Sequence, residues 1–378
     1  MRILTNTNLH SGGGIARRAN EMIRYCEEKG IPLVVIGITK EKPKIEERGS
    51  VKIYHLTVGK GVNCSMDIYR GLRDINDLER RLKPTIKEIQ EIMKDERIDV
   101  VLSEGTFYAP WMIYKASKNL NKPTIVNYAG ILTKEEAGTP APLLHLFKQI
   151  ELDFDRPNNF YVFPSKLTKR EIEKIFRRKI KNSIVIPNGV APEFFKEECI
   201  TKKKNSIGFV GRAHPIKNIE FLISLARALD KKSSNYHILA VSEIKKDKEI
   251  RKKLEDRDIE IVPEMSTYKL RQFFMKMTVI VCPSHFETYG NVSLEAIATG
   301  TPALVSENMG VSEIFRDLGL TNLVLEDFSS AEKVLNKIIE TTSLKIKEGT
   351  REQIKSYLHW DKIMNKYIKI CEASLEAI

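Results

Sequence analysis

Residues 279–305 constrain the fold of this chain more tightly than any other stretch. An apolar run of strand length at 279–282 gives way to Pro283 and a polar loop, then to a helix-like run at 292–299 and a second apolar run at 303–305. Gly300 stands where a helix C′ residue would, and Pro302 follows it, so the next strand starts almost at once. Strand, loop, helix and strand in quick succession belong to an open α/β sheet, whose ligands lie outside the carboxyl ends of the strands. Two glutamates frame this loop: Glu287 lies in it, and Glu295 falls in the first turn of the expected helix. Both carboxylates are expected to crowd the space above the strand end and to suit a neutral, hydroxyl-rich ligand. Gly290 lets the backbone approach a ligand, and the free N–H groups around Asn291, Val292 and Ser293 can receive a phosphate with the help of the helix dipole. The plainer alternative is a loop acid and a helix glutamate favoured by the dipole alone.

The same pattern recurs at the amino terminus. A strand at 2–5 leads into LHSGGGI at 9–15, a helix at 15–29 closed by Gly30, and a strand at 33–38, which makes a βαβ unit whose first loop can face a phosphate or an acceptor. Gly12, Gly13 and Gly14 do not make GxGxxG, because Arg17 stands where the last glycine is needed, so a nicotinamide dinucleotide is not the expected ligand. Further strands are expected at 52–56, 100–103, 124–127, 160–164 and 184–186, with a long charged helix at 74–95 and a basic helix at 166–179. Gly105 and Phe107 are placed where they can line an acceptor groove, whereas Trp111 and Tyr114 at helical spacing are expected in the core. Residues 134–155 carry no clear pattern. Their Asp153-Phe154-Asp155 is formally a DxD, but Asp256-Arg257-Asp258 repeats it in a chain with 50 acidic residues, so the signal is weak.

A polar, lysine-rich stretch at 192–205 reads as a linker, after which βα units resume with strands at 206–210, 237–241, 260–262 and 323–325. Between the strand at 206–210 and the helix at 219–229, Arg212 and Lys217 flank a sharp loop. Two cations placed there suit a diphosphate, the arginine as a fork and the lysine as a mobile charge. Helices at 268–276 and 330–340 and a helical region ending at Ile378 complete the carboxyl half.

The Glu287 and Glu295 pair with seven residues between, Gly290, the GTP of 300–302, the Arg212 to Lys217 element and Pro187-Asn188-Gly189-Val190 together resemble glycosyltransferase family 4, the glycosyl transferases group 1. The resemblance implies an α/β chain of GT-B fold: two Rossmann-like domains with an interdomain cleft, and a carboxyl-terminal helix, near Trp360, that crosses back to the first domain. The boundaries it suggests are 1–190 with about 358–378 for the acceptor side and 191–357 for the nucleotide-sugar side. It implies retaining transfer of a sugar, without metal or other cofactor, from a nucleotide diphosphate sugar to a hydroxyl of a glycan, a lipid-linked or a small-molecule acceptor. Arg212 and Lys217 inherit the diphosphate, Glu287 the sugar hydroxyls and Glu295 the ribose. Gly13, Gly14, Pro263, Gly290, Asn291 and Val292 complete the donor site. Many relatives carry a histidine after the strand at 124–127. Here the line is NYAG, so Asn127 or Tyr128 is expected to take over its contacts on the acceptor side, or the protein binds a nucleotide sugar as a regulator or scaffold without transferring it.

Composition narrows the setting. The 378 residues suffice for two cores, and five scattered cysteines without metal or redox spacing point to a reducing cytoplasm. No apolar run approaches the roughly 20 residues of a membrane span, and no signal peptide is expected. A net charge of +12 favours anionic partners, but no nucleic-acid module accompanies it. The basic helix at 166–179, with Lys169, Arg170, Lys174, Arg177 and Arg178, is read either as a solvated face or as a peripheral contact with anionic lipid at an inner membrane surface.

Overall fold

The apolar runs become the strands of two largely parallel sheets. The computed structural model describes residues 1–7, 14–58, 66–135, 139–198, 200–201, 203, 205–243 and 248–376. It separates into one unit made of Met1–Pro187 and Trp360–Ile378 and a second made of Asn188–His359.

In the first unit the strands are β1 Ile3–Thr7, β2 Leu33–Ile38, β3 Lys44–Arg48, β4 Val51–Leu56, β5 Val100–Glu104, β6 Thr124–Asn127, β7 Phe160–Phe163 and β8 Ser183–Val185. They lie in the order β3-β4-β2-β1-β5-β6-β7-β8. The central strands β1, β2 and β5 are buried along their whole length, as parallel strands covered on both faces are. Strand β3, KIEER, runs antiparallel to β4 at the edge and is mostly exposed. It is absent from the sequence reading because its one apolar residue, Ile45, faces solvent, and charge on an edge strand discourages pairing with other chains. The helix Ile75–Asp95 starts where Asp74 accepts hydrogen bonds from the N–H groups of Asn76 and Asp77, both at 2.9 Å. The unpatterned stretch resolves into Leu132–Glu135 and Ala141–Asp153. The basic helix is shorter than expected, Lys166–Phe176, because Arg177 turns into the left-handed region at φ 53°. The last helix, Trp360–Glu376, packs Trp360, Ile363, Met364, Tyr367 and Cys371 into the core of this first unit beside Ile3, Val35 and Val100.

The second unit carries β9 Ser206–Val210, β10 His237–Val241, β11 Glu260–Val262, β12 Val279–Val281, β13 Ala303–Ser306 and β14 Val324–Leu325, in the order β11-β10-β9-β12-β13-β14. Every recorded pairing is parallel, so all six carboxyl ends share one edge. Gly208 lets β9 lie at the centre: a Cβ there would stand 2.6 Å from Ile280 Cδ1 and 2.8 Å from Met277 Cγ. Three helices of this unit, Lys248–Glu255, Val311–Asp317 and Glu348–Tyr357, had no counterpart in the sequence reading. Among the described residues, no helix is long and apolar enough to cross a membrane.

Candidate functional site

The carboxyl edge of the second sheet gathers the charged residues singled out above. Arg212 follows β9 and is exposed. The turn after it is tight: His214 N–H donates to Arg212 O at 2.8 Å, and Lys217 N–H donates to His214 O at 2.9 Å. Asn218 then adopts φ 52°, and its side-chain amide donates to Pro283 O at 3.1 Å, which ties this turn to the loop after β12. His285 N–H adds a second tie by donating to Ile216 O at 2.9 Å. Short loops held to each other in this way bring Lys217 and Glu287 together although they lie far apart in sequence.

The contact between them is direct. Lys217 Nζ donates to Glu287 Oε1 at 2.7 Å, and Ser284 Oγ donates to the same oxygen at 2.8 Å. Glu287 Oε2 takes no hydrogen bond among the described residues. Both side chains are partly exposed, Lys217 at 24% and Glu287 at 19%, so the pair is open to a ligand rather than sealed in the core. The Glu287 backbone is anchored on both sides, its N–H donating to Asn308 O at 3.1 Å and its carbonyl accepting from Gly310 N–H at 3.0 Å. Beneath it, burial pushes the Cys282 thiol up, with the charge of Glu287 adding to the effect and that of Lys217 opposing it.

Gly290 takes φ 113° before the helix Asn291–Ala298, a conformation that suits glycine, and a Cβ there would meet Met309 Cε at 2.9 Å. Asn291 accepts from the Asn188 side chain at 3.0 Å, and the Tyr289 hydroxyl donates to Asn188 O at 3.2 Å, so Asn188 fixes the entry to this helix. Val292 is half-buried. Glu295 is 3% exposed and sits in the second turn rather than the first, because the helix starts at Asn291. Pro263 is exposed just beyond β11 on the same edge. Arg212, Lys217, Pro263, Glu287 and Gly290 therefore share one sheet edge.

The remaining expectations fall in the first unit. Gly14 begins the helix Gly14–Lys29, while Gly13 lies outside the described residues. Asn127 and Tyr128, expected on the acceptor side, are both fully buried. The Asn127 amide donates to Glu104 Oε2 and to the Tyr367 hydroxyl, each at 2.9 Å. The Tyr128 ring stacks on Phe163 with centroids 5.6 Å apart and meets Phe176 edge-on. The strand-end position was legible, but hydrogen bonds to Glu104 and Tyr367 turn Asn127 inward and aromatic packing turns Tyr128 inward. Trp111 and Tyr114 are core residues, as expected. The DxD carboxylates are engaged in ion pairs, Asp153 with Lys115 and Arg156 and Asp155 with Arg178. Ser284 and Asn188 carried no signal in the sequence: a serine three places before a glutamate is commonplace, and Asn188 stood out only as part of a boundary.

Comparison with known proteins matches the chain to a family. The model described as Glycosyltransferase Family 4 matches residues 12–194, and that described as Glycosyl transferases group 1 matches residues 190–358. A lipopolysaccharide 1,2-N-acetylglucosaminetransferase of Salmonella typhimurium is 23% identical over 60% of this chain and 65% of its own length. The matched stretches span 48% and 43% of two other curated relatives, about half their length. Sucrose-phosphate synthase from Thermosynechococcus elongatus superposes with a TM-score of 0.78 at 15% identity over 100% of both chains. Anabaena HepE in complex with UDP and glucose gives 0.73 at 13% identity over 99% of this chain and 100% of that one. At such identities the structural likeness establishes the shared fold, GT-B.

Proposed function

We propose that this chain, which belongs to the family 4, group 1 glycosyltransferases, moves a sugar from a nucleotide diphosphate sugar to an acceptor hydroxyl with retention at the anomeric carbon. The observation that carries this reading is the Lys217–Glu287 contact at 2.7 Å on the carboxyl edge of a parallel sheet. A sugar diphosphate presents hydroxyls and phosphate oxygens side by side, and this pair presents an acceptor and a cation side by side. Glu287 Oε2 accepts from the sugar hydroxyls. Lys217 keeps further N–H donors for the phosphates, and Arg212 adds its fork. When the bond from the anomeric carbon to the diphosphate breaks, these cations and the first N–H groups of the helix Asn291–Ala298 stabilise the negative charge that develops on the diphosphate. Glu287 and Glu295 orient the donor and attack nothing.

The structural neighbour that holds UDP and glucose suggests UDP-glucose as the first donor to try, and the Salmonella relative's name suggests a glycan hydroxyl as acceptor. Part of the charge on the basic helix is used internally, Lys174 with Glu171 at 2.6 Å and Arg178 with Asp155. Lys169 and Arg177 would meet anionic lipid, which flotation with phosphatidylglycerol vesicles tests; no co-flotation would remove the contact.

The deciding experiment is incubation with a panel of nucleotide sugars, following thermal stability and nucleotide release together. One donor that raises the melting temperature and is slowly hydrolysed is the expected outcome; no donor doing either would sink the assignment. Stabilisation without release, with every acceptor tried, favours the second reading, a nucleotide-sugar-binding protein without transferase activity. The burial of Asn127 and Tyr128, at the place where relatives carry a histidine, is the observation on its side.

A further inference from the structure

A cavity of about 190 Å³ opens at the carboxyl edge of β12, β13 and β14, and the reading above makes no use of it. It is larger than a single water needs and smaller than the roughly 300–1,000 Å³ of sites for drug-sized ligands, so it suits one small ring. Ser306, at the end of β13, lines it. That residue is 2% exposed, and its buried hydroxyl meets no hydrogen-bond partner among the described residues. A hydroxyl removed from water and left unmet is unfavourable, so a ligand that pairs with it binds the better for it.

The rest of the wall is mostly polar and includes the exposed imidazole of His285. Asp327 Oδ1 accepts from the N–H of Ser329 at 2.9 Å and from its hydroxyl at 2.6 Å, which fixes the carboxylate at the rim with Oδ2 taking no hydrogen bond among the described residues. Asn308 adds an exposed amide, and Phe328, held edge-on by Phe221 with centroids 5.4 Å apart, adds an apolar face. Among the described residues no lysine or arginine lines the cavity, His285 being its one basic side chain, which argues against a phosphate, and no group of three or more His, Cys, Asp or Glu gathers there to hold a metal ion. Hydroxyls, amides, one carboxylate, one imidazole and one phenyl face are groups that can meet a neutral polyol.

We propose that this cavity is a second carbohydrate site, taking one neutral, multiply hydroxylated ring of monosaccharide size at a place distinct from the Lys217–Glu287 pair. It stands whether or not the chain transfers sugars, because it rests on the cavity alone. Ser284 belongs both to this wall and to Glu287, to which it donates at 2.8 Å, so a bound ring that draws on Ser284 competes with Glu287.

The test is saturation-transfer difference NMR on the full chain with the methyl α-glycosides of glucose, mannose and galactose and with N-acetylglucosamine, in excess UDP and GDP to occupy a nucleotide site. At least one glycoside should give a signal that persists with nucleotide present. Ser306→Val and Asp327→Ala should each weaken its affinity about fivefold or more, as the loss of one hydrogen bond does. No signal from any glycoside, a signal abolished by nucleotide, or equal affinity in both variants would overturn the proposal. Should Ser306→Val fail to fold by circular dichroism, the exposed Asp327→Ala decides.

Discussion

At Glu287, two donors, Lys217 and Ser284, meet a single carboxylate oxygen. Removing either charge of the pair frees the other, so substitutions here act on orientation as well as on charge. Lys217→Ala and Arg212→Ala should each lower kcat by on the order of tenfold to a thousandfold, the range for losing one preorganised donor to developing charge. Steady-state kinetics with the donor found in the panel checks this, and near-normal turnover in both variants would remove the diphosphate role. Glu295→Ala should instead weaken the free nucleotide, measured by calorimetry; unchanged affinity would count against a ribose contact. Gly290→Ala forces a side chain into φ 113° and against Met309 and Val311, and should destabilise the fold by about 1–3 kcal/mol in urea unfolding. These positions were legible because chemistry at a strand end needs particular residue types at particular spacings. The burial of Asn127 and Tyr128 was not legible for the converse reason: spacing places a residue at a strand end but does not say which way its side chain turns.

Elements with a strong period were legible to within a residue or two. Strands β2, β6, β9, β10 and β11 fall where apolar runs put them. Strand β3 and the stretch before Asp155 were not legible, because an edge strand of charges has no hydrophobic period and a short helix followed by a proline-started one breaks the pattern in two. The joint between those two helices carries a consequence. Glu151, buried in Ala141–Asp153, accepts from the Thr133 hydroxyl at 2.7 Å, and burial pushes its carboxyl up to about 7. The unfolded value lies near 4.3, so the native state binds more protons between about pH 4 and 7. This contribution is therefore greatest below that window and declines as pH rises through 7. Glu151→Gln keeps the hydrogen bonding and removes the titration. It should be the more stable protein at pH 8, by up to about 3 kcal/mol, and the gain should fade towards pH 4. Urea midpoints of both proteins across this range check it; a difference independent of pH would mean that Glu151 does not titrate there.

The whole molecule is not two consecutive beads. The second unit is one continuous segment, Asn188–His359, whereas the first is closed by residues from both ends of the chain. The last helix supplies Trp360, Met364 and Tyr367 to the first core, and a buried charge network holds it in register. In that network Arg18 pairs with Glu104 at 2.5 Å, Glu104 also accepts from Asn127, and Asn127 donates to Tyr367. A buried pair of this kind adds little net stability while complete, but losing one member leaves a charge or polar group without a partner in the core. Cutting the chain at the observed boundaries should therefore have unequal effects. Residues 188–359 alone carry a whole sheet and core and should unfold cooperatively and bind nucleotide. Residues 1–187 alone lack the helix that covers Ile3, Val35 and Val100, and should expose apolar surface and aggregate. Adding the peptide 360–378 in trans should restore a cooperative transition to residues 1–187 by mass action. Circular dichroism melts of the two fragments, with and without the peptide, read this directly. A cooperative melt for 1–187 alone would show that the last helix is an accessory to the first unit rather than part of its core.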